Sequence, residues 1–315
     1  MNKKKTVILH PPLKTKYAFE RLRCCKYCQN YTALQEENCT VCGKAGLRPI
    51  LERARHAAKR ARYNDLLLVS FLTLLAILFS QTFQLMAISL AAGIILFGLL
   101  YFVQHTALES RISIEMSKLI EVDRDKITAG LVRNLETAAS HGEEGRSYEM
   151  MRDIATLIHN DHIRKLQLIL LQSFVLRKDM ELALAPLLLK DFDSDLAEYI
   201  GELAKIKREL IKDKTFQYVI RYEPQFLALD RGEEILAGVA GAAVRLKRYV
   251  LAYSDFIARY ARKLPKDRFL RLYRMLAESP NLDWGNLSAE TARIYEEKYQ
   301  WDADFQQIKP RSTII

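Results

Sequence analysis

The chain has 315 residues, half of them hydrophobic and 27% charged, a length that holds two or three modules and excludes a single small domain. Its charge is unevenly spread: residues 1–65 carry 15 Lys+Arg against 5 Asp+Glu, and residues 66–315 carry 33 of each. All the net charge of +10 therefore lies ahead of one stretch, Leu66 to Gln104, that contains no Asp, Glu, Lys, Arg or His.

At the N-terminus Lys3-Lys4-Lys5 precedes only Thr6-Val7-Ile8-Leu9 before Pro11-Pro12. That run is too short for the apolar core of a cleaved signal peptide, so none is expected.

All five cysteines fall between positions 24 and 42. Cys25-Lys26-Tyr27-Cys28 and Cys39-Thr40-Val41-Cys42-Gly43 form two C-x2-C pairs with ten residues between them. Four thiolates so spaced reach one tetrahedral Zn²⁺, each short pair offering two sulfurs to a common point. Gly43 suits a backbone that curls tightly beneath a metal. A segment this small has no core of its own, so metal binding would supply its folding energy. A disulfide pair and a redox or iron–sulfur role are the alternatives, and a reducing cytosol disfavours disulfides.

The pattern resembles the short zinc ribbons found at the ends of bacterial multidomain and membrane proteins, over about residues 22–47. The resemblance implies a bacterial protein with structural zinc on Cys25, Cys28, Cys39 and Cys42. Two departures stand out: Gln29 follows the first pair where glycine is usual, and Cys24 adds a fifth thiol able to replace Cys25 as ligand. Around the ribbon, Lys14, Lys16, Arg21, Arg23 and Lys26 interleave with Tyr17, Phe19, Tyr27 and Tyr31. Those residues suit either a nucleic-acid surface or aromatics packed around the metal beneath solvated charges.

Pro49 can open a helix, and residues 51–62 are good helix formers that continue it towards the charge-free stretch. Arg53, Arg55, Lys59, Arg60 and Arg62 are expected to meet anionic lipid headgroups there. The 39 uncharged residues that follow are too many for one membrane span and right for two. Two helices, about 63–81 and 84–104, are predicted, turning at the polar cluster Ser80-Gln81-Thr82-Phe83-Gln84. A buried core hairpin of a soluble protein is the alternative. The basic flank places the N-terminus in the cytoplasm, and two spans return the C-terminal part to the same side of the cell membrane. Ala87 with Ala91 and Ser89 with Gly93 are small residues four apart that permit close helix contact.

Beyond Thr106 the chain reads as all helix. Residues 107–139 form a candidate long helix with a slip of pattern near Glu121–Asp125. Breaks then recur about every 34 residues, at Gly145, Lys178-Asp179, Lys212-Asp213, Arg248 and Leu282-Asp283. A second series, at Asn160-Asp161, Asp191–Asp195, Asp230–Gly232 and Leu264-Pro265, lies between them, describing stacked helix–turn–helix units. Lys178–Leu187, with Ala183, and Tyr249–Pro265, with Ala252, resemble the second helix of a tetratricopeptide repeat. The Trp-Leu-Gly-Tyr pattern of first helices is absent, and an irregular helical bundle is the competing architecture. The stripe Tyr249, Tyr253, Phe256, Tyr260 is expected to be core between helices.

Arg259, Arg262, Lys263, Lys266, Arg268, Arg271 and Arg274 form a basic run, with acids including Glu297, Asp302 and Asp304 downstream. Pairing within the chain and a groove for an acidic partner are the two readings. His159-Asn160-Asp161-His162 lacks a third nearby ligand, so Asp161 is expected to cap a helix rather than hold a metal. No phosphate-binding, dinucleotide, nucleophile-elbow or zinc-protease motif is present, and no enzyme is expected.

The sequence thus predicts a mainly α membrane protein. A zinc ribbon (1–48) precedes a basic helix and transmembrane hairpin (49–106), followed by a cytosolic TPR-like domain (107–315). The expected function is a scaffold that binds a protein or peptide partner. The alternative is a membrane-tethered nucleic-acid-binding regulator using residues 14–62.

Overall fold

A computed structural model describes residues 4–12, 15–158 and 160–308. Lys14 and His159 of the sequence reading lie outside them.

Three short strands form the ribbon: β1 (Arg23–Cys25), β2 (Tyr31–Thr32) and β3 (Leu47–Pro49), in the order β2-β1-β3. Both pairings are antiparallel, setting Cys24 opposite Tyr31 on one side and opposite Arg48 on the other. Helix α1 (Ile50–Leu78) starts directly after Pro49, as the fixed φ of proline favours, and the Ile50 N–H donates to Leu22 O at 2.9 Å.

The basic segment and the first apolar stretch are one continuous helix. α2 (Phe83–Thr106) returns after a turn at residues 79–82, with Thr82 Oγ1 accepting from the Leu85 N–H. Both helices are long and apolar enough to cross a membrane, and the apolar windows are 0% and 6% buried within the chain. That exposure tells against the buried-core alternative, because a core hairpin would have its apolar face covered. The two helices approach closely at Gly93, where an added Cβ would stand 2.1 Å from Thr73 Cγ2.

α3 (Leu108–Val122) and α4 (Arg124–Ser140) follow, broken at Asp123 where the sequence pattern slips. α3 lies along α1 with Ile112 and Met116 buried, and α1 contributes buried Ile50, Ala54 and Ala58. The chain divides into two compact units, residues 12–143 with 149–158, and residues 1–11 with 144–148 and 159–315. The break near 143, not at 107, follows because α3 packs on α1 and α4 on β2.

α5 (Glu144–Ala155) belongs in part to each unit. The other unit is helical: α6 (Asp161–Ser173), α7 (Ser194–Ile206), α8 (Asp213–Arg221), α9 (Glu223–Leu227), α10 (Gly232–Ala243), α11 (Lys247–Ala252), α12 (Ser254–Tyr260), α13 (Lys266–Ala277), α14 (Asn286–Ile294) and α15 (Ala303–Gln306). Two interleaved series begin at 194, 232 and 266 and at 213, 247 and 286, matching most of the breaks seen in the sequence. Tyr249, Phe256 and Tyr260 are buried among these helices.

One expected helix is missing. Residues 178–184 are irregular and Ala185–Leu187 makes only a single 3-10 turn, so Lys178–Leu187 is not the second helix of a repeat. Met180, Leu182 and Leu184 are buried while Glu181 is exposed, an alternation of period two that no helix can satisfy. Pro186 interrupts the remainder. At the start of α6 the cap is Asn160, whose Oδ1 accepts from the His162 N–H at 2.9 Å. Asp161, read as the cap, instead pairs with Arg164 at 2.7 Å.

Candidate metal centre

Two tight turns bring four sulfurs together. In the first the Gln29 N–H donates to Cys25 O at 3.0 Å, and in the second the Gly43 N–H donates to Cys39 O at 2.8 Å. Each turn closes in the left-handed region, at φ 55° for Gln29 and φ 70° for Gly43. The substitution noticed in the sequence therefore sits at a strained position, since a side chain there costs roughly 1–3 kcal/mol. Gln29→Gly is expected to stabilise the ribbon by about 1 kcal/mol and tighten metal retention about fivefold. Chelator competition measures this, and an unchanged or weaker affinity would show that the Gln29 side chain contributes more than its backbone costs.

The ligand atoms of Cys25, Cys28, Cys39 and Cys42 all lie within 4.8 Å of one another. Cys25 Sγ is 3.6 Å from Cys42 Sγ, and Cys28 Sγ is 3.5 Å from Cys39 Sγ. Tetrahedral metal–sulfur bonds of about 2.3 Å put neighbouring sulfurs about 3.8 Å apart, so the cluster fits a four-coordinate metal. All five cysteines are free thiols. The choice between Cys24 and Cys25 follows from the strand: neighbouring side chains on β1 face opposite ways. Cys25 joins the cluster, while Cys24 turns to Arg53, whose Nη1 lies 3.5 Å from its sulfur. Burial pushes the Cys24 thiol upward against the pull of Arg53.

Behind the cluster the ribbon is locked onto α4 and the root of α1. The buried Tyr31 hydroxyl donates to Asp123 Oδ2 at 2.6 Å and accepts from Arg53 Nη1 at 2.8 Å. Lys126 Nζ reaches Asp123 Oδ1 at 3.0 Å. Burial and the bond to Asp123 raise the Tyr31 hydroxyl, and that same bond, with Lys126 and Arg53, holds the Asp123 carboxyl low despite its burial. Fully buried Asn134 Oδ1 accepts from Thr32 Oγ1 and from the Ala33 N–H, both at 2.9 Å. Gly130 makes room for this docking, for a Cβ there would lie 2.2 Å from Tyr31 O.

These partners are invisible in the sequence. Asp123 and Asn134 read as ordinary polar residues at a helix break and on a helix face, about a hundred positions from the strands they hold. The slip near Glu121–Asp125 was their single trace.

No family model, curated protein or solved structure matched this chain.

The remaining candidates separate by surroundings. Arg53 faces the ribbon, ten residues and about 15 Å of helix ahead of Tyr63. Arg55, Lys59 and Arg60 are exposed on α1 with no carboxylate partner among the described residues, and Arg62 lies 4.6 Å over the Tyr101 ring. Of the expected nucleic-acid surface, Tyr31 is buried and Arg21 is bound to Asp153 at 3.1 Å, while Tyr17 and Tyr27 are exposed. Lys16 sits over the Tyr17 ring and Lys44 over that of Tyr27.

In the basic run, Arg259 pairs with Glu223 at 2.6 Å and Arg262 with Glu297 at 2.5 Å. Lys263 pairs with Glu233, and Lys266 lies 2.6 Å from Asp302 and 2.8 Å from Asp304. The two acids at Lys266 hold its ammonium well above the usual lysine range. Those four cations are engaged by the chain's own acids and form no open basic groove. Arg271 donates to the Arg245 carbonyl, and Arg274 is exposed.

Proposed function

We propose that this chain is a membrane-anchored, non-enzymatic scaffold at the cytoplasmic face of a bacterial membrane, holding a protein or peptide partner on its helical unit. Its hairpin spans the membrane twice with both termini cytoplasmic. The uncovered apolar surface of α1 and α2, beside cations on the root of α1, carries this reading. Arg55, Lys59 and Arg60 meet anionic headgroups, each contributing about 1 kcal/mol, and Tyr101 sits at the interface.

The metal in this reading is structural zinc on Cys25, Cys28, Cys39 and Cys42. A closed four-sulfur site leaves no coordination position for substrate. Cys24, Tyr31 and Thr32 turn inward, so the ribbon is a clamp on the base of the hairpin, and the helical unit is left for the partner. Its two interleaved series of helices support a TPR-like stacking from α7 onward.

Affinity capture of the intact protein from membranes, beside a Cys39→Ser variant and a chain truncated after residue 158, tests the reading. A partner lost with the truncation and kept with the ribbon variant is expected. Recovery of the same partner by the truncated chain would end the scaffold role of the helical unit. The exposed Tyr17 and Tyr27 with their lysines favour the second reading, a nucleic-acid surface on the ribbon. Salt-dependent DNA or RNA binding that disappears on zinc removal would select it.

A further inference from the structure

Residues 4–11 belong to the same compact unit as the later helices, although the ribbon follows them in sequence. Lys5 and Phe174 make an isolated parallel bridge: the Lys5 N–H donates to Ser173 O and the Val175 N–H to Lys5 O, both at 2.8 Å. Helix α6 has ended there and Phe174 is extended, so the main chain of 173–175 presents a strand edge. Side chains of the N-terminal segment alternate, as an extended chain requires. Leu9 is buried in the core of the unit and Val7 packs against that core, while Ile8 between them is 78% exposed.

Two acids meet the lysines. Lys4 Nζ lies 3.3 Å from Glu202 Oε1 and Lys5 Nζ 2.6 Å from Glu144 Oε1, while Glu144 Oε2 accepts from Ser173 Oγ at 3.0 Å. Lys5 first, and Ser173 next, hold the Glu144 carboxyl below its usual range. Pro11 and Pro12 follow, and neither can extend the pairing because proline has no N–H to donate.

Strand addition of this kind is how an extended peptide is recognised, with main-chain bonds for the backbone and slots for alternate side chains. The attachment is slight for a permanent part of the fold. Both ion pairs are partly open to solvent, where such pairs contribute little. Val175 is exposed and Ser173 half-buried, so water can take over their main-chain groups when the segment leaves. Among residues 4–11, Leu9 alone is buried.

We propose that Ser173–Val175, with Glu144 and Glu202, is the docking edge for an extended partner segment in which basic residues precede apolar residues two apart. Residues 4–9 occupy it in cis until such a segment displaces them. This rests on the scaffold reading above and names its site. A tethered occupant acts at an effective concentration on the order of millimolar, so a free segment gains the edge when the tethered one is weakened.

The test uses the full chain in detergent micelles and a labelled peptide with the sequence of residues 4–11. Counterparts with serine in place of Val7 and Leu9, or glutamate in place of Lys4 and Lys5, are the controls. Leu9→Ala loosens the tethered segment and leaves the edge intact, so it is expected to bind the peptide at least tenfold more tightly than wild type does. Lys5→Glu, on an exposed side chain, should give a gain of about threefold, and it carries the comparison should Leu9→Ala fail to fold. The serine peptide should bind the Leu9→Ala chain at least tenfold more weakly, and the glutamate peptide about threefold. In wild type the Val175 amide should exchange at least tenfold faster than that of buried Val239 on α10, because its opening is local.

Equal exchange at Val175 and Val239, with no gain of peptide binding in either variant, would make the segment a fixed strand and overturn the proposal. Peptide binding as tight to wild type as to Leu9→Ala would place the peptide elsewhere and overturn it too. Concentration-dependent wild-type dimers that Leu9→Ala abolishes would replace the partner segment by the N-terminus of a second copy. A captured partner that binds wild type and Leu9→Ala equally would remove this site and leave the scaffold reading standing. Exchange of the peptide with no partner captured from membranes would keep the edge and end the scaffold reading.

Discussion

Removing the metal is expected to unfold the ribbon from β1 to β3 and free it from α4. Between Leu22 and Pro49 the sheet has only two- and three-residue strands, too little to close on its own. Structural zinc in such sites supplies about 10–16 kcal/mol of apparent binding free energy at neutral pH, all of it coupled to folding. Chelation under reducing conditions, or Cys39→Ser, should therefore abolish amide protection at Cys25, Lys26, Gln29 and Gly43, whose N–H groups bond within the ribbon. Buried Leu22, Tyr31 and Leu34 would become exposed with them. Hydrogen exchange reads this directly, alongside one zinc per chain by elemental analysis before chelation. Full protection in metal-free, reduced protein would show that docking alone folds the ribbon, and the metal would lose its structural role.

The second large effect lies at Asp123. Asp123→Ala removes the acceptor of the Tyr31 hydroxyl and the counter-charge of Arg53 and Lys126 together. Leaving the buried Tyr31 hydroxyl without its acceptor costs about 1–3 kcal/mol, while solvent screens the lost pairing of the partly exposed Arg53 and Lys126; that is enough to loosen the ribbon while the metal is still bound. Asp123→Asn keeps an acceptor and loses the charge, and about half the loss is expected.

The pH dependence has a definite sign. The Asp123 carboxyl is held below the usual aspartate value by Tyr31 first, then by Lys126 and Arg53, against its burial. Its contribution is present above about pH 4 and lost only as pH falls through the lowered value. The stability gap between wild type and Asp123→Asn should thus stay constant from neutral pH to about pH 5. A gap that shrank across that range would mean burial dominates and the carboxyl is raised.

Local patterns carried much of this protein in its sequence. The C-x2-C pairs named the four sulfurs that converge, the charge-free run and its polar turn gave the two apolar helices, and breaks at 212–213, 230–232 and 264–265 marked helix starts. Each is a short-range signal, a ligand spacing, a hydropathy period or a turn residue, and each survives because its physics acts within a few residues.

Tertiary structure decided what joins what. Strand alternation separated Cys25 from Cys24 once β1 was fixed against β3, whereas spacing alone allowed either. The ribbon's attachment to Asp123, Gly130 and Asn134 depends on long-range contacts whose one trace in the sequence is the slip near Glu121–Asp125. Both readings of the basic run stayed open in the sequence because its acids lie 30 residues or more away, on elements that only folding brings alongside. Sequence fixes which charges a helix displays, and only the packed chain decides which of them are already answered. Arg268 is the case where packing half-buries a charge against two carbonyls, Gly238 O and Ala204 O.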